Sequence, residues 1–315
     1  MQSYFFYIFN KMRHIFVVNP SAGRYNAVHE IREKLDLLKN EIDHELYITC
    51  GPGDATEYVR RWCAEHPEDP VRFYACGGDG TINEVVSGLI GYPNAEVSCY
   101  PCGSGNDYIK YYGCKEDYLD IRRIVNGVPH TVDVMKVNNR YSINVCNFGF
   151  EAEVCRTMAN VRRKPVIGGK RAYTTGIVRS LFTGRNNYCH VKVDGKELHD
   201  GKMLLCTLSN GRYVGGNYNC APLSLNDDGL VEVCLFKPMA LLKLVSLIKV
   251  YQKGQHLNNP KVAHLMKYCQ GKVIEMESPT PFYVVIDGEI MFDTCFKVEN
   301  LHKAITFVAP CPIDK

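Results

Sequence analysis

The sequence predicts two domains of different fold class, a three-layer α/β domain followed by a β-sandwich-like domain. The chain has 315 residues, which is more than a single hydrophobic core usually supports. Apolar strand-like runs alternate with helical patterns over residues 13–131, as is typical of a mainly parallel sheet covered by helices. From about Thr131 onward the helical patterns give way to short β-rich runs, which favours a sandwich of strands.

We therefore place the first domain at residues 12–131 and the second at 132–315, with the last residues allowed to return to the first domain. Residues 1–11 form an N-terminal extension that contains a short apolar run. We interpret it as the product of a misassigned translation start, because Met12 opens a strand-like segment. The competing interpretation is a short tag that touches a membrane.

In the first domain each predicted strand ends at a polar turn that leads into a helix. The predicted strands are 14–18, 45–49, 72–76 and 96–100, and the predicted helices are about 26–40, 54–66 and 81–91. Gly53 and Asp54 supply the start of the second helix, and the segment 91–93 (GYP) ends the third.

The second domain reads as a series of short strands with two helical inserts. The predicted strands are 132–137, 141–147, 188–193, 203–209, 230–236, 273–278, 282–286, 294–298 and 304–309. The inserts lie near 171–183 and 239–251. The second insert is strongly apolar around Lys243 and Lys249, and we expect it to pack on a core or between domains rather than to enter a membrane.

Composition excludes several classes of protein. The net charge of +3 argues against a dedicated nucleic-acid binder. Fifteen cysteines are spread over the chain without a dense framework, which favours a reduced cytoplasmic protein over a disulfide-bonded one. No apolar run approaches the roughly 20 residues that span a bilayer.

The segment 77–84 (GGDGTINE) has the features of a phosphate-binding turn. It joins an apolar strand to a helix, and its glycines would let phosphate oxygens approach backbone amides at the helix N-terminus. A strand-to-helix turn capped by Asp79 would explain a bare GGxG equally well. A carboxylate repels phosphate, so Asp79 fits this turn if a divalent cation or its water shell lies between them.

Three further polar turns follow predicted strands of the same domain. Asn19–Gly23 (NPSAG) follows the first strand, Thr49 ends the second strand and is followed by the turn at Gly53, and Pro101–Asp107 (PCGSGND) follows the fourth. Each could be an ordinary loop. Because the carboxyl ends of parallel strands meet at one edge of the sheet, we expect all four turns to lie close together.

These motifs resemble those of the diacylglycerol kinase catalytic domain of bacterial-type soluble diacylglycerol kinases, a family related to sphingosine kinases and, at lower similarity, to NAD kinases. The resemblance extends from Met12 through both domains. In the second domain it rests on the segments 144–152 (NVCNFGFEA), 211–216 (GRYVGG), 225–230 (LNDDGL) and 287–289 (DGE). The chain departs from the family pattern at Ser104, where threonine is usual, and at Glu151, where aspartate is usual.

The resemblance implies a role for each matched residue. The nucleotide would be held by Asn19, Thr49, Gly78, Asp79, Gly80, Thr81, Ile82, Asn83, Glu84 and Ser104. Asp79 would also organise catalytic Mg²⁺ or its waters. The Asp228 carboxylate and the main-chain carbonyls of Leu225 and Leu230 would bind Mg²⁺ in the second domain. Glu289 would act as general base on the acceptor, and the active site would occupy a cleft between the domains.

The implied activity is transfer of the γ-phosphoryl group of ATP to a lipid hydroxyl, with diacylglycerol as the expected acceptor and phosphatidic acid as the product. Alternatives are another lipid alcohol, such as phosphatidylglycerol or a sphingoid base, a soluble metabolite as in NAD kinases, and a non-catalytic nucleotide-binding regulator.

We expect a cytoplasmic enzyme that contacts the inner face of the membrane transiently and peripherally and binds no nucleic acid. A homodimer is compatible with the sequence. A basic cluster at 162–171 is the candidate membrane contact, although a solvated loop explains it equally well.

Overall fold

The computed structural model describes residues 12–23, 27–150, 152 and 187–312. The chain divides into two compact units, one formed by Met1–Asp133 with Lys303–Lys315 and the other by Val134–His302. The extension 1–11, Glu151, the basic cluster 162–171 and the predicted helix 171–183 lie outside the described residues.

The first unit contains a parallel sheet. Its strands are β1 (Arg13–Val18), β2 (His44–Ile48), β3 (Val71–Gly77) and β4 (Ala95–Pro101). They pair in the order β2-β1-β3-β4, and Thr306 and Phe307 add a further parallel partner beside β4. Every residue of β3 is buried, as expected for a central strand covered on both faces.

Helices connect these strands. They are α1 (Ala27–Asp36), α2 (Asp54–Glu65), α3 (Asp79–Leu89), α4 (Lys115–Tyr118) and α5 (Ile121–Val125), with a 3₁₀ helix at Tyr108–Tyr111. The helix predicted at 26–40 ends at Asp36, because the following residues close tight turns, with the Leu38 N–H donating to the Leu35 carbonyl. Helix α3 begins at Asp79, two residues earlier than predicted, so the aspartate belongs to its first turn.

The second unit is built mainly from antiparallel strands. They are β5 (Val128–Val137), which begins in the first unit, β6 (Arg140–Ser142), β7 (Val145–Gly149), β8 (Asn187–Val193), β9 (Lys196–Met203), β10 (Leu205–Ser209), β11 (Tyr213–Val214), β12 (Tyr218–Asn219), β13 (Val231–Phe236), β14 (Met266–Gly271), β15 (Val273–Ile286) and β16 (Glu289–Ala309), which ends in the first unit. Two helices, α6 (Leu241–Gln252) and α7 (Pro260–Ala263), lie between β13 and β14.

Strand β15 connects two groups of strands. Its first half pairs with β8, and β8 in turn pairs with β9. Its second half pairs with β7, at the end of a group with the strand order β14-β13-β10-β7-β15. The change occurs at an irregularity in the pairing with β16 between Glu277 and Phe282. Strands that change sheet at such an irregularity are a common way to build sandwich corners.

Several predicted strand boundaries are wrong. The strands predicted at 273–278 and 282–286 are one strand, because the prolines at 279 and 281 lie in the bulged part of β15, where a missing N–H is tolerated. The strands predicted at 294–298 and 304–309 are likewise one strand, β16. The predicted strand 141–147 is two, β6 and β7. Strands β9 and β14 were not predicted, because polar residues interrupt their apolar pattern.

Candidate active site

The parallel sheet of the first unit has a switch point between β1 and β3. From β1 the chain crosses to β2 on one side, and β3 then lies on the other side of β1. In α/β sheets, ligands bind at the carboxyl ends of the strands at such a point. The loops that begin at Asn19 and Gly78 leave the sheet here, so they meet the requirement for a ligand site.

The turn between β3 and α3 packs tightly against the loop that follows β4. The backbone N–H groups of Cys102 and Gly103 donate to the Gly77 carbonyl at 2.8 and 3.0 Å. A Cβ atom on Gly103 would lie 2.5 Å from the Gly78 Cα, whereas one on Gly80 would meet nothing within 4 Å. Gly103 is therefore needed for packing, and Gly80 leaves the helix N-terminus open to a ligand.

Asp79 secures this contact. Its Oδ1 accepts the backbone N–H of Asp107 at 2.6 Å and that of Tyr108 at 3.4 Å. A Cβ on Gly105 would lie 2.8 Å from Asp79 Oδ2 and 3.4 Å from Asp107 Oδ2, so two carboxylates flank the Gly105 backbone. Asp107 was not predicted as a site residue, although it ends the polar turn 101–107.

Asn19 joins the first loop to the same helix. Its Nδ2 donates to Thr81 Oγ1 at 3.3 Å, and its Oδ1 accepts the Ser21 N–H at 2.9 Å. Thr81 is buried, and its Oγ1 would be only 2.1 Å from a Cβ on Gly77. The structure thus brings three of the predicted turns together around the start of α3.

The other predicted nucleotide-binding residues differ in accessibility. Thr49 is buried, and its N–H donates to the Val18 carbonyl at 2.9 Å. Glu84 Oε1 accepts the Gly53 N–H at 3.0 Å, which ties α3 to the turn before α2. The Ile82 side chain lies in the core, Asn83 is buried, and Ser104 is exposed.

In the second unit, the loop 225–230 forms a compact turn. Asp228 Oδ1 accepts the Leu230 N–H at 3.0 Å, and Gly229 has a φ of +79°. A Cβ on Gly229 would lie 3.1 Å from His302 Nδ1. Within the described ranges, no three His, Cys, Asp or Glu side chains converge as a metal-binding group.

Glu289 follows a tight hairpin turn between β15 and β16. Ile286 pairs with Glu289, and the two residues between them, Asp287 and Gly288, have φ values of +46° and +97°. A two-residue turn with positive φ at both positions matches the twist of the strands and favours an Asp-Gly sequence. Glu289 is exposed at the start of β16.

Asp287 anchors this hairpin. Its carboxylate accepts backbone N–H groups of Ile143, Asn144 and Val145 and the hydroxyl of Ser142, at 2.8–3.2 Å. The sequence reasoning overlooked this role, although an aspartate that directly follows a buried strand was a signal for it. The anchor fixes the position at which Glu289 leaves the turn.

One face of the sheet in the second unit changes from polar to apolar along the strands. Cys146 and Phe148 of β7 point into the main core, so Asn147 points to the opposite face. On that face Asn147 pairs with Thr207. Two residues along β7, the Val145 N–H donates to the Asp287 carboxylate at 2.9 Å, and the Val145 carbonyl accepts the Asp287 N–H at 3.1 Å. The polar end of this face therefore adjoins the hairpin that bears Glu289.

The apolar end of the same face lines a cavity of about 140 Å³ between the sheet and α6. Its lining includes Leu205, Phe236, Leu244, Leu247, Asn147 and His256. The Oδ1 atom of Asn147 is buried and has no hydrogen-bond partner among the described residues. Burial lowers the pKa of His256 to about 4, so this ring is neutral near pH 7. The cavity was not predicted from the sequence, because the residues that line it are dispersed along the chain.

None of the helices in the described ranges is both long and apolar enough to cross a lipid bilayer.

Comparison with known proteins identifies two matching families. Residues 13–137 match the diacylglycerol kinase catalytic domain, and residues 144–309 match the YegS C-terminal NAD kinase beta sandwich-like domain. Together the two matches span both units and confirm the predicted order of an α/β domain followed by a β-sandwich-like domain.

Curated relatives match along nearly the whole chain. The chain is 26% identical to the diacylglycerol kinase of Bacillus subtilis, with 93% of this chain and 95% of the relative covered. It is 29% identical to the diacylglycerol kinase of Staphylococcus aureus strain RF122, with 93% and 91% covered. It is 28% identical to a protein of Alcanivorax borkumensis named "Probable lipid kinase YegS-like", with 86% and 89% covered.

A crystal structure of a diacylglycerol kinase from Bacillus anthracis has the same fold, with a TM-score of 0.70, 19% identity and coverage of 94% of this chain and 96% of that chain. The chain therefore belongs to the lipid kinase family of diacylglycerol kinases and YegS-like proteins, and it is a phosphotransferase with an alcohol acceptor, for which the family implies ATP as the phosphoryl donor.

Proposed function

We propose that the chain transfers the γ-phosphoryl group of ATP to the free hydroxyl of diacylglycerol, with ADP and phosphatidic acid as products. The observation that carries the choice of a lipid acceptor is the cavity in the second unit. An apolar cavity of about 140 Å³ has room for part of an acyl chain, and its polar end at Asn147 suits the more polar end of a lipid. The names of the curated diacylglycerol kinases support the same acceptor.

The proposed orientation of the lipid follows from the sheet register. The acyl chain lies against Leu205 and α6, and the hydroxyl points along β7 toward the Asp287 hairpin. Asn147 and Val145 are two residues apart, which is about 7 Å in a strand. This orientation brings the acceptor hydroxyl toward Glu289, the proposed general base.

In the proposed reaction, the Glu289 carboxylate takes the proton of the acceptor hydroxyl as its oxygen attacks the γ-phosphorus. The bond from the γ-phosphorus to the bridging oxygen breaks, and ADP leaves. A carboxylate is a weak base for an alcohol, so alignment and charge stabilisation supply most of the rate enhancement. The proposed contacts with ATP come from Asn19, Thr49, Ser104 and the segment 78–84.

The donor atoms of the loop 225–230 fit Mg²⁺. The Asp228 carboxylate and the carbonyls of Leu225 and Leu230 are hard oxygen donors, and Mg²⁺ usually takes one or two carboxylates together with water or phosphate. We assign these three residues to one magnesium site and Asp79 to the cation at the nucleotide. Bound Mg²⁺ would neutralise phosphate charge.

The direct test is incubation of the purified protein with γ-labelled ATP, MgCl₂ and lipid in mixed micelles. We expect labelled phosphatidic acid from dioctanoylglycerol, with much slower labelling of phosphatidylglycerol and sphingosine. A labelled product from one of those lipids alone would reassign the acceptor, and labelled NADP from NAD would indicate a soluble-metabolite kinase. ATP binding without any labelled product would indicate a regulator.

In the same assay we expect Glu289→Gln to lower kcat about 10²–10⁴-fold, because the amide cannot accept the proton. Its melting temperature should stay unchanged, since the side chain is exposed. Asp293→Asn, which alters another exposed carboxylate of β16, is the matched control and should keep full activity. Near-normal turnover by Glu289→Gln would remove Glu289 from the mechanism.

A further inference from the structure

One face of helix α6 is buried, and the opposite face begins with two exposed apolar residues. Leu244 and Leu247 pack into the core beside the cavity, as the sequence predicted for part of this helix. Leu242 and Val245, however, are 86% and 51% exposed. The exposed pair lies one helical turn apart, so the two side chains form a continuous apolar strip on the outer face.

Lysines are frequent in the sequence on both sides of this strip, and acidic residues are absent from it. From Val233 to Ile274 the chain contains no aspartate or glutamate. The same segment contains the seven lysines Lys237, Lys243, Lys249, Lys253, Lys261, Lys267 and Lys272. Lys249 is exposed and continues the Leu242–Val245 face at position i+7, and the exposed Lys253 caps the end of the helix. The chain as a whole has a net charge of only +3, so this positive charge is a local feature.

We propose that the outer face of α6 docks on an anionic lipid bilayer. Leu242 and Val245 would enter the boundary between headgroups and acyl chains, while Lys249 and Lys253 would contact anionic headgroups. An apolar strip flanked by lysines is the pattern of helices that lie in a membrane interface. If the partner were a protein of ordinary composition, the 42 residues from Val233 to Ile274 would not need to lack acidic side chains.

The docked helix would also connect the membrane to the cavity. Leu244, Leu247 and Ile248 of α6 line the cavity, while Leu242 and Val245 of the same helix face outward. A bilayer on the outer face would place lipid next to the site proposed for the acyl chain. This link rests on the proposed function, whereas docking itself can be measured without catalysis.

The test is co-sedimentation of the full chain with vesicles of phosphatidylcholine alone or mixed with phosphatidylglycerol. We expect binding to the anionic vesicles that weakens with added salt. The double variant Leu242→Glu/Val245→Glu should bind at least about tenfold more weakly. Lys249→Glu/Lys253→Glu should lose roughly tenfold and most of the salt dependence. Exposed residues of the first unit supply the matched controls, Leu37→Glu (79% exposed) and Lys39→Glu, which should bind as the wild type does.

Two further measurements separate the outcomes. Activity on dispersed short-chain diacylglycerol should stay normal in Leu242→Glu/Val245→Glu, because the cavity-lining residues are intact. If the wild type binds anionic vesicles through α6 but phosphorylates no lipid, docking stands and the proposed function fails. Wild-type vesicle binding by the Leu242→Glu/Val245→Glu variant would overturn docking. Loss of self-association in that variant, with vesicle binding intact, would assign the face to a second copy of the chain.

Discussion

Two aspartates, Asp79 and Asp287, each hold a backbone segment that carries a proposed active-site group. Asp79 accepts the Asp107 N–H and so fixes the loop that follows β4. Asp287 accepts three backbone N–H groups and the Ser142 hydroxyl, and so fixes the hairpin that precedes Glu289. A buried carboxylate needs such donors, because an unpaired charge is costly to bury.

Two substitutions of Asp79 separate its structural role from its proposed role near the cation. Asp79→Asn keeps an Oδ1 acceptor for the Asp107 N–H, whereas Asp79→Ala removes it. We expect both variants to lose roughly 10²-fold or more in kcat, because neither has the negative charge. Only Asp79→Ala should also lower the melting temperature. If Asp79→Asn retained normal turnover, the role of Asp79 would be confined to fixing the loop.

Asp287→Ala should destabilise the second unit by about 2–4 kcal/mol, because several buried donors lose their acceptor. Urea unfolding monitored by circular dichroism measures this loss. Asp200→Asn, on β9 of the same unit, serves as an exposed control and should change stability little. Wild-type stability in Asp287→Ala would show that the observed hydrogen bonds do not hold the hairpin.

At the scale of elements, the junction between β3 and α3 depends on glycines for two different reasons. Gly77 and Gly103 have no room for a side chain, because Thr81 Oγ1 and the Gly78 Cα occupy the space. Gly80 has room on the protein side, so its lack of a side chain matters only to a ligand. Sequence alone does not distinguish these reasons.

Alanine substitutions test this distinction. Gly103→Ala should lower stability by roughly 1–3 kcal/mol, because its Cβ would force the two loops apart. Gly80→Ala should keep or raise stability by up to about 1 kcal/mol, since alanine favours a helix, yet weaken ATP binding by blocking phosphate approach. Calorimetric titration with a non-hydrolysable ATP analogue and thermal melting measure the two effects. Unchanged nucleotide affinity in Gly80→Ala would move the phosphate contact elsewhere.

At the scale of the whole molecule, the two most deeply buried histidines of the described residues are His14 in the first unit and His256 in the second. His14 lies beside Tyr74, with its Nδ1 2.8 Å from the hydroxyl, and His256 lies against Phe236 and Tyr251. Burial, aided by Arg72, lowers the pKa of His14 to about 3, and burial lowers that of His256 to about 4. Both rings are therefore neutral in the folded protein near neutral pH.

The unfolded chain binds protons at these histidines near pH 6.5, above their folded pKa values, so acid favours unfolding. We expect stability to be complete above about pH 6.5 and to fall by roughly 2–3 kcal/mol per histidine on acidification to about pH 4. Urea midpoints across this range measure the effect. His256→Leu should flatten the decline, whereas the exposed control His264→Gln should not. An identical pH slope in His256→Leu would exclude His256 as a source of acid sensitivity.

The sequence by itself determined the order of the two fold classes, the strands of the parallel sheet and the segments that match the kinase family. These features are local, because the periodicity of strands and helices and the glycine turns depend on consecutive residues. Only the tertiary structure decided the remaining features. These are the contact between the turn after β3 and the loop after β4, the single long strands β15 and β16, the Asp287 anchor, the cavity and the outer face of α6. Each joins residues far apart in the chain, or depends on which face of an element packs inward, and a local pattern contains neither kind of information.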